Sequence, residues 1–401
     1  MSRQRIRVPL VLGITSLMHA TVVAASLTVP ILAPLLIQET DVPASYVGYY
    51  ASIVYGTAML SAVSTVGAVR RFGAMRMMQL SLLAVAGGLF CVPAGTVLVL
   101  ALSGLFIGIA YGPVNPTGSH LLTRHTPAAA RSLIFSIKQM SVPLGGAAAG
   151  FALPRLAAAY GLRPTVIGFG LAAIILAVSI SPWRGGLDGD RDPAAPIRNP
   201  DLYSPLRLVF AEAQFRDLAI AAGVLSGVQF CIGAYFVTAL VGSAGRTLAE
   251  SGSMLSAMLM ASIGGRILWG WLADRLTPRR VLALLAFLIA CTTGSLALLS
   301  TSWSYGAILA LSLAIGITAF SWSGILMAEV ARLAIGVGVV DATAGVMFFA
   351  YLGALGIPTL VAGIAAFADS LKVGFLLFSV VAFPLGLRFL KRPPAPARLT
   401  E

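Results

Sequence analysis

Two cations stand inside long apolar stretches of this 401-residue chain: Lys138 in SLIFSIKQMSVPLGG (132–146) and Arg266 in ASIGGRILWGWLADR (261–275). Lys138 lies seven residues past Arg131, and Arg266 eight before Asp274. At the helical rise of about 1.5 Å per residue they sit ~10 and ~12 Å in from the ends of their stretches. One lies in each half of the chain. A Lys or Arg in hydrocarbon costs ~2.5–3.5 kcal/mol and normally has a partner. All 14 acidic residues, from Glu39 to Glu401, fall in loops, in the central linker or at the ends of apolar stretches. The chemistry these two residue types could do together is anion binding. Arginine offers a planar fork that takes a carboxylate or other oxyanion bidentately, and lysine adds a point charge. Two structural readings stand beside that one. Lysine can lift its ammonium toward the interface from this depth, and Arg266 can bond to backbone carbonyls or to Asp274.

Other polar side chains reach similar depth and are candidates for the same site: Asn115 in YGPVNPTG (111–118), Gln139 and Ser141 beside Lys138, and Gln229, Tyr235, Trp322, Ser323 and Tyr351. Each serves equally well in helix-to-helix hydrogen bonding or packing. Pro113 and Pro116 predict freed carbonyls and a kink around Asn115. His19 stands deep in the first apolar stretch. Its unperturbed pKa near 6.5 makes it a candidate for proton coupling, a satisfied interior histidine being the alternative.

Catalytic machinery is not expected. The histidines (His19, His120, His125) are scattered, HExxH and GxSxG are absent, and no acid pair lies deep. The chain therefore reads as a non-enzyme. Without GxxxxGK[ST] there is no phosphate-binding loop for ATP, so any work must draw on gradients. Cys91, Cys231 and Cys291 lack CxxC spacing and read as small core residues, with no metal or other cofactor implied.

The elements that must position these residues follow from composition. The chain is 58% hydrophobic and 10% charged, with a mean hydropathy of +0.93. Soluble domains carry about 25% charged residues, which excludes that class. Twelve apolar runs are long enough to cross ~30 Å of hydrocarbon. They cover roughly 8–36, 46–69, 75–95, 97–122, 130–156, 163–182, 217–243, 252–273, 281–300, 304–328, 341–366 and 370–389. The first is about twice the length of a signal-peptide core and is read as a span. One long polar stretch, RGGLDGDRDPAAPIRNPDLYSPLRL, separates runs six and seven; rich in Asp, Arg, Pro and Gly, it is expected to bury no core. The predicted organisation is a six-helix bundle over 1–183, a cytoplasmic linker over 184–214 and a second six-helix bundle over 215–401.

The formal net charge of +13 is not a nucleic-acid signature, because its cations cluster between apolar runs. With the N-terminus placed in the cytoplasm, 21 of 27 Lys and Arg fall on that side and four, Arg155, Arg163, Arg246 and Lys372, fall outside. Both termini are therefore expected to be cytoplasmic. The halves also repeat. LFIGIAYG (105–112) matches LAIGITAF (313–320) at an offset of 208, and the arginine-rich turns RRFGAMR and DRLTPRR lie about 204 apart. Two fused repeats around a central cavity are a transporter architecture.

GGRILWGWLADRLTPRR (264–280) resembles the loop motif of the major facilitator superfamily, Gly-x-x-x-Asp-Arg-x-Gly-Arg-Arg, in its second-half copy. Gly270, Asp274, Arg275 and Arg279 match it; Thr277 and Pro278 stand where Gly and a basic residue belong. The first-half copy, Arg70-Arg71-Phe72-Gly73, has Arg where Asp belongs. The resemblance implies an all-α membrane protein of twelve transmembrane helices in two six-helix pseudo-repeats. It implies a latch of the outward-facing state at the matching residues, a shared cavity for spans five and eight, and a monomer. The span-eight arginine resembles the anion-binding arginine of nitrate, oxalate and monocarboxylate porters. SIKQ (136–139) and AEVARLA (328–334) are similar to the cyanate-permease-like branch.

The expectation is a secondary transporter of a small organic anion such as a carboxylate, in a bacterial inner membrane. Its partners would be that substrate, the lipid bilayer and, where transport is coupled, a co-transported or exchanged ion. The alternative is an efflux pump for drugs or other amphipathic metabolites, which the two buried cations disfavour for cationic cargo.

Overall fold

The computed structural model describes residues 8–39, 45–196, 203–368 and 371–391. The basic stub before residue 8, linker residues 197–202 and the tail after 391 lie outside the described residues.

The chain runs through α1 (Val8–Glu39), α2 (Ser45–Phe72), α3 (Ala74–Cys91), α4 (Val97–Tyr111), α5 (Val114–His125), α6 (Arg131–Gln139), α7 (Ser141–Tyr160), α8 (Leu162–Ser179) and α9 (Ser181–Leu187). It continues through α10 (Ser204–Ala211), α11 (Ala213–Ala244), α12 (Leu248–Arg275), α13 (Pro278–Ala297), α14 (Tyr305–Ala319), α15 (Ser323–Leu333), α16 (Val339–Ala368) and α17 (Leu371–Lys391). Two 3₁₀ turns aside, these helices are the regular structure of the described residues, with no strand among them. Among the described residues, twelve stretches are long and apolar enough to span a bilayer, as the sequence predicts. This is a multi-pass, all-helical membrane protein.

Three spans that read as continuous runs are broken. The fourth divides into α4 and α5 at Gly112–Pro113, where proline removes a backbone donor. The tenth divides into α14 and α15 without any proline. Ser321 stands at that break, and its hydroxyl donates to the carbonyls of Ser262 and Gly316, both at 3.1 Å. The two breaks sit 208 residues apart, the offset of the sequence repeat. The fifth divides into α6 and α7 at Met140; Pro143, which has no N–H, leaves the Gln139 carbonyl without its helical donor.

The chain forms two compact units. Unit 1 comprises 1–126, 140–211 and 337–348; unit 2 comprises 127–139, 212–336 and 349–401. Each unit thus holds the opening turns of a span whose remainder belongs to the other: α6 lies in unit 2, and the first turns of α16 in unit 1.

The polar stretch after α8, expected to bury no core, is partly packed. Leu187 and Asp188 are buried, and α9 and α10 are helical. Asp188 accepts from the amides of Met75 (2.7 Å) and Arg76 (3.1 Å), capping α3 from a distant part of the chain. Gly73 makes room for it. Its φ of 96° suits glycine, and a Cβ there would lie 2.2 Å from the Asp188 carboxyl carbon. Next to it, Asp190 is gripped by His120 (2.6 Å) and Arg124 (2.5 Å). Burial pushes the Asp188 carboxyl above the usual carboxylate range, against the pull of its two amides. Burial would raise Asp190 as well, but the His120 hydrogen bond and the charges of His120 and Arg124 hold it below that range. The cysteines are free. Cys231 is buried, but Cys291 is exposed and so is not the core residue expected.

Candidate functional site

In unit 2 the site is built around Ser136 of α6. A Cβ on Gly324 of α15 would lie 2.3 Å from Ser136 Cα, and one on Gly270 of α12 would lie 2.7 Å from Ser136 Oγ. Only glycine admits the α6 backbone this close, so α6, α12 and α15 converge at one point. The Asp274 carboxylate accepts from the amides of Ser132 (2.8 Å) and Leu133 (2.9 Å), while Gly270 meets Leu133 and Ser136. α6 and α12 are therefore antiparallel. One more turn, ~6 Å, sets Arg266 at the level of Lys138 and Gln139.

Lys138 is 3% exposed, and its Nζ donates to Gln139 Oε1 at 3.2 Å. It does not reach out to the surface. Arg266 is 2% exposed. Its Nη1 donates to Ser323 Oγ at 2.8 Å, and its Nε is buried with no hydrogen-bond partner. The two structural alternatives for Arg266, backbone carbonyls and Asp274, are not what it contacts. A polar chain extends from here, as Trp322, the N-cap residue of α15, donates its Nε1 to Gln229 Oε1 at 3.1 Å. Tyr351 is buried and Tyr235 half-buried in the same unit.

Three predicted residues, His19, Ser141 and Asn115, belong to unit 1 instead. His19 shares a 3.0 Å hydrogen bond with Ser141 and meets Tyr111 edge-on at 6.3 Å between ring centroids; Tyr55 in turn meets Tyr111 at 5.8 Å. Asn115 Nδ2 approaches Met347 Sδ at 3.2 Å. Tyr55, Tyr111 and Met347 carried no signal in the sequence, since an aromatic or Met inside an apolar run looks like packing.

The family model of the Major Facilitator Superfamily matches residues 14–350. The chain belongs to this superfamily. No curated protein sequence matches it at a significant level. Among solved structures it resembles the E. coli fucose:proton symporter, at 15% identity over 94% of this chain and 97% of that one, with a TM-score of 0.71. A bacterial homologue of the iron transporter ferroportin aligns at 16% identity, over 96% of this chain and 100% of that one, with a TM-score of 0.74. The human organic anion transporter MFSD10 aligns at 15% identity, over 97% and 100%, with a TM-score of 0.72. At these identities the likeness is one of fold.

The superfamily's loop motif has a distinct geometry here. Asp274 heads α6 as described. Arg275 stacks over Trp271, its Cζ 4.3 Å from the ring centroid. Arg279 is buried inside α13 between two buried acids, 3.8 Å from Asp217 and 3.6 Å from Glu329. Arg388 contacts Asp217 at 2.5 Å, and Arg332 forks onto Glu329 at 2.7 and 2.8 Å. Asp188, Asp217, Glu329 and Asp341 lie in the linker or at span ends, as the sequence places them, and the structure adds that all four are buried. The Glu329–Arg332 spacing of three residues is the signal that could have exposed one of these pairs.

Proposed function

We propose that this transporter moves a small organic anion, a carboxylate in the first instance, across the membrane by alternating access. The observation that carries this reading is the Arg266 guanidinium: buried, steadied on one nitrogen by Ser323, with its Nε unpartnered. A buried arginine nitrogen without a partner is costly, and an oxyanion satisfies it. Lys138 supplies a second charge at the same level, and Gln139, Gln229, Tyr235 and Tyr351 line or adjust the site; Asn115 is a further substrate-binding candidate within unit 1. The likeness to a human organic anion transporter fits this reading. The likeness to sugar:proton symporters favours proton coupling, for which His19 is the candidate. Gly270, Asp274, Arg275 and Arg279 form the latch region. The working organisation is bundles over 1–183 and 215–401 joined through 184–214, in a bacterial inner membrane with both termini cytoplasmic.

The test is a thermal-shift panel on detergent-purified protein with small carboxylates, cyanate, nitrate and sulfate beside neutral sugars and cationic dyes. A ligand at 100 times its Kd adds ~2.7 kcal/mol. Stabilisation by anions, lost in Lys138→Ala and Arg266→Ala, supports the reading. Stabilisation by sugars or cationic dyes alone overturns it, and cationic dyes would favour the efflux alternative.

A further inference from the structure

We infer that Ser323 is a positioning residue that aims the Arg266 fork, so that the site selects planar oxyanions over spherical anions of equal charge. This rests on the anion reading above and goes one step beyond it.

Ser323 is a fixed post. It opens α15 at the break in the tenth span, between Trp322, held by Gln229, and Gly324, pressed on the backbone of Ser136. Its hydroxyl takes Arg266 Nη1 at 2.8 Å, and Nε is the buried nitrogen left without a partner. Nε and Nη2 form the side-on edge of the guanidinium, two parallel N–H groups spaced for the two oxygens of a carboxylate or nitrate. An arginine side chain has several rotatable bonds, and a fork discriminates shape only when its plane is held. A halide gains the charge of Arg266 and Lys138 but meets the two parallel N–H groups with one atom, and so only through bent, weaker bonds. Lys138, a point charge, is indifferent to ligand shape. The shape preference therefore resides in the Arg266–Ser323 contact.

The experiment measures Kd for acetate, nitrate and chloride by thermal-shift titration of the full-length purified protein. The wild type should bind acetate and nitrate at least tenfold more tightly than chloride. Ser323→Ala should weaken both planar anions about tenfold while changing chloride less than twofold; Ser323→Thr, which keeps the hydroxyl, should restore them. Arg266→Lys keeps the charge and should level the acetate-to-chloride ratio. Unliganded melting temperatures report folding, and if Ser323→Ala does not fold, Arg266→Lys and Ser323→Thr carry the test. Wild-type selectivity retained in Ser323→Ala or in Arg266→Lys overturns the positioning role while leaving the anion site standing. Loss of the planar preference in Ser323→Thr also counts against it. A wild type that binds none of the three anions removes both readings together.

Discussion

The two arginine-rich turns, after α2 and after α12, do the same mechanical job with opposite charges. In unit 2, Asp274 accepts from the amides of Ser132 and Leu133 and so holds the start of α6. In unit 1 the residue 204 positions earlier is Arg70, and its Nη2 contacts Asp341 Oδ2 at 2.7 Å. Asp341 stands in the first turn of α16, 208 positions after Leu133. The carboxylate has moved from the loop to the helix it anchors, and the loop carries its counter-ion. Ser204 of α10 adds a 3.0 Å hydrogen bond to Asp341, so the polar stretch between the halves takes part as well. A carboxylate near the amino end of a helix is favourable whichever segment supplies it. The degenerate first-half motif is thus a rearranged anchor rather than a lost one.

The caps that follow differ in the same spirit. In unit 2, Thr277 caps its own helix, accepting from the Arg280 amide, with Pro278 at the first helical position. That accounts for the two departures from the superfamily motif: they form a helix start. In unit 1 the corresponding helix, α3, begins at Gly73 and takes its cap from Asp188, far along the chain.

The largest effect expected from this comparison is at Asp274. Asp274→Ala removes two charge-assisted bonds to backbone amides and should cost ~2–4 kcal/mol. Hydrogen exchange should rise over 131–139 and stay unchanged over 337–348; equal protection of both segments would break the anchor assignment. Next comes Arg70→Asp, which sets like charges together. Because Arg70 is half-exposed, the cost is ~1 kcal/mol, read as faster exchange over 337–348. The double variant Arg70→Asp with Asp341→Ser rebuilds the unit 2 arrangement in unit 1 and should recover most of that loss. Thr277→Ala should cost ~1 kcal/mol in thermal unfolding and act on α13 alone.

The smallest effect is a pH dependence. Asp190 is held below the ordinary carboxylate range, so its contribution is present above the unfolded value, 3.8, and is lost as pH falls through the lower folded value. Asp188 runs the other way, its raised pKa making ionisation unfavourable for the fold as pH rises through it. Protection over 187–196, taken relative to the intrinsic exchange rate at each pH, should fall from pH 4 to 2 in the wild type and change little there in Asp190→Asn.

Much of the candidate site was legible because a charge in an apolar run has few explanations. Lys138 and Arg266 stood out by cost alone, and their matched depth followed from counting residues to the nearest loop. The deep polar residues were visible too, but their grouping was not: Gln229 pairs with Trp322 and Asn115 reaches Met347, contacts 93 and 232 residues apart. The burial of acids at span ends was not legible, since Asp217 and Glu329 look ordinary until Arg279 and Arg388 arrive from other helices.

The sequence alone determined the class of the molecule. Twelve apolar runs must become helices in hydrocarbon, because no other open structure satisfies their backbone there, and the 208-residue offset told that the halves repeat. Tertiary structure alone decided which helices touch. The convergence at Ser136, the aim of Arg266 and the exchanged charges of Arg70 and Asp341 depend on approaches of a few ångströms between segments distant in the chain. Apolar runs in a membrane specify that they pack, not against which neighbour.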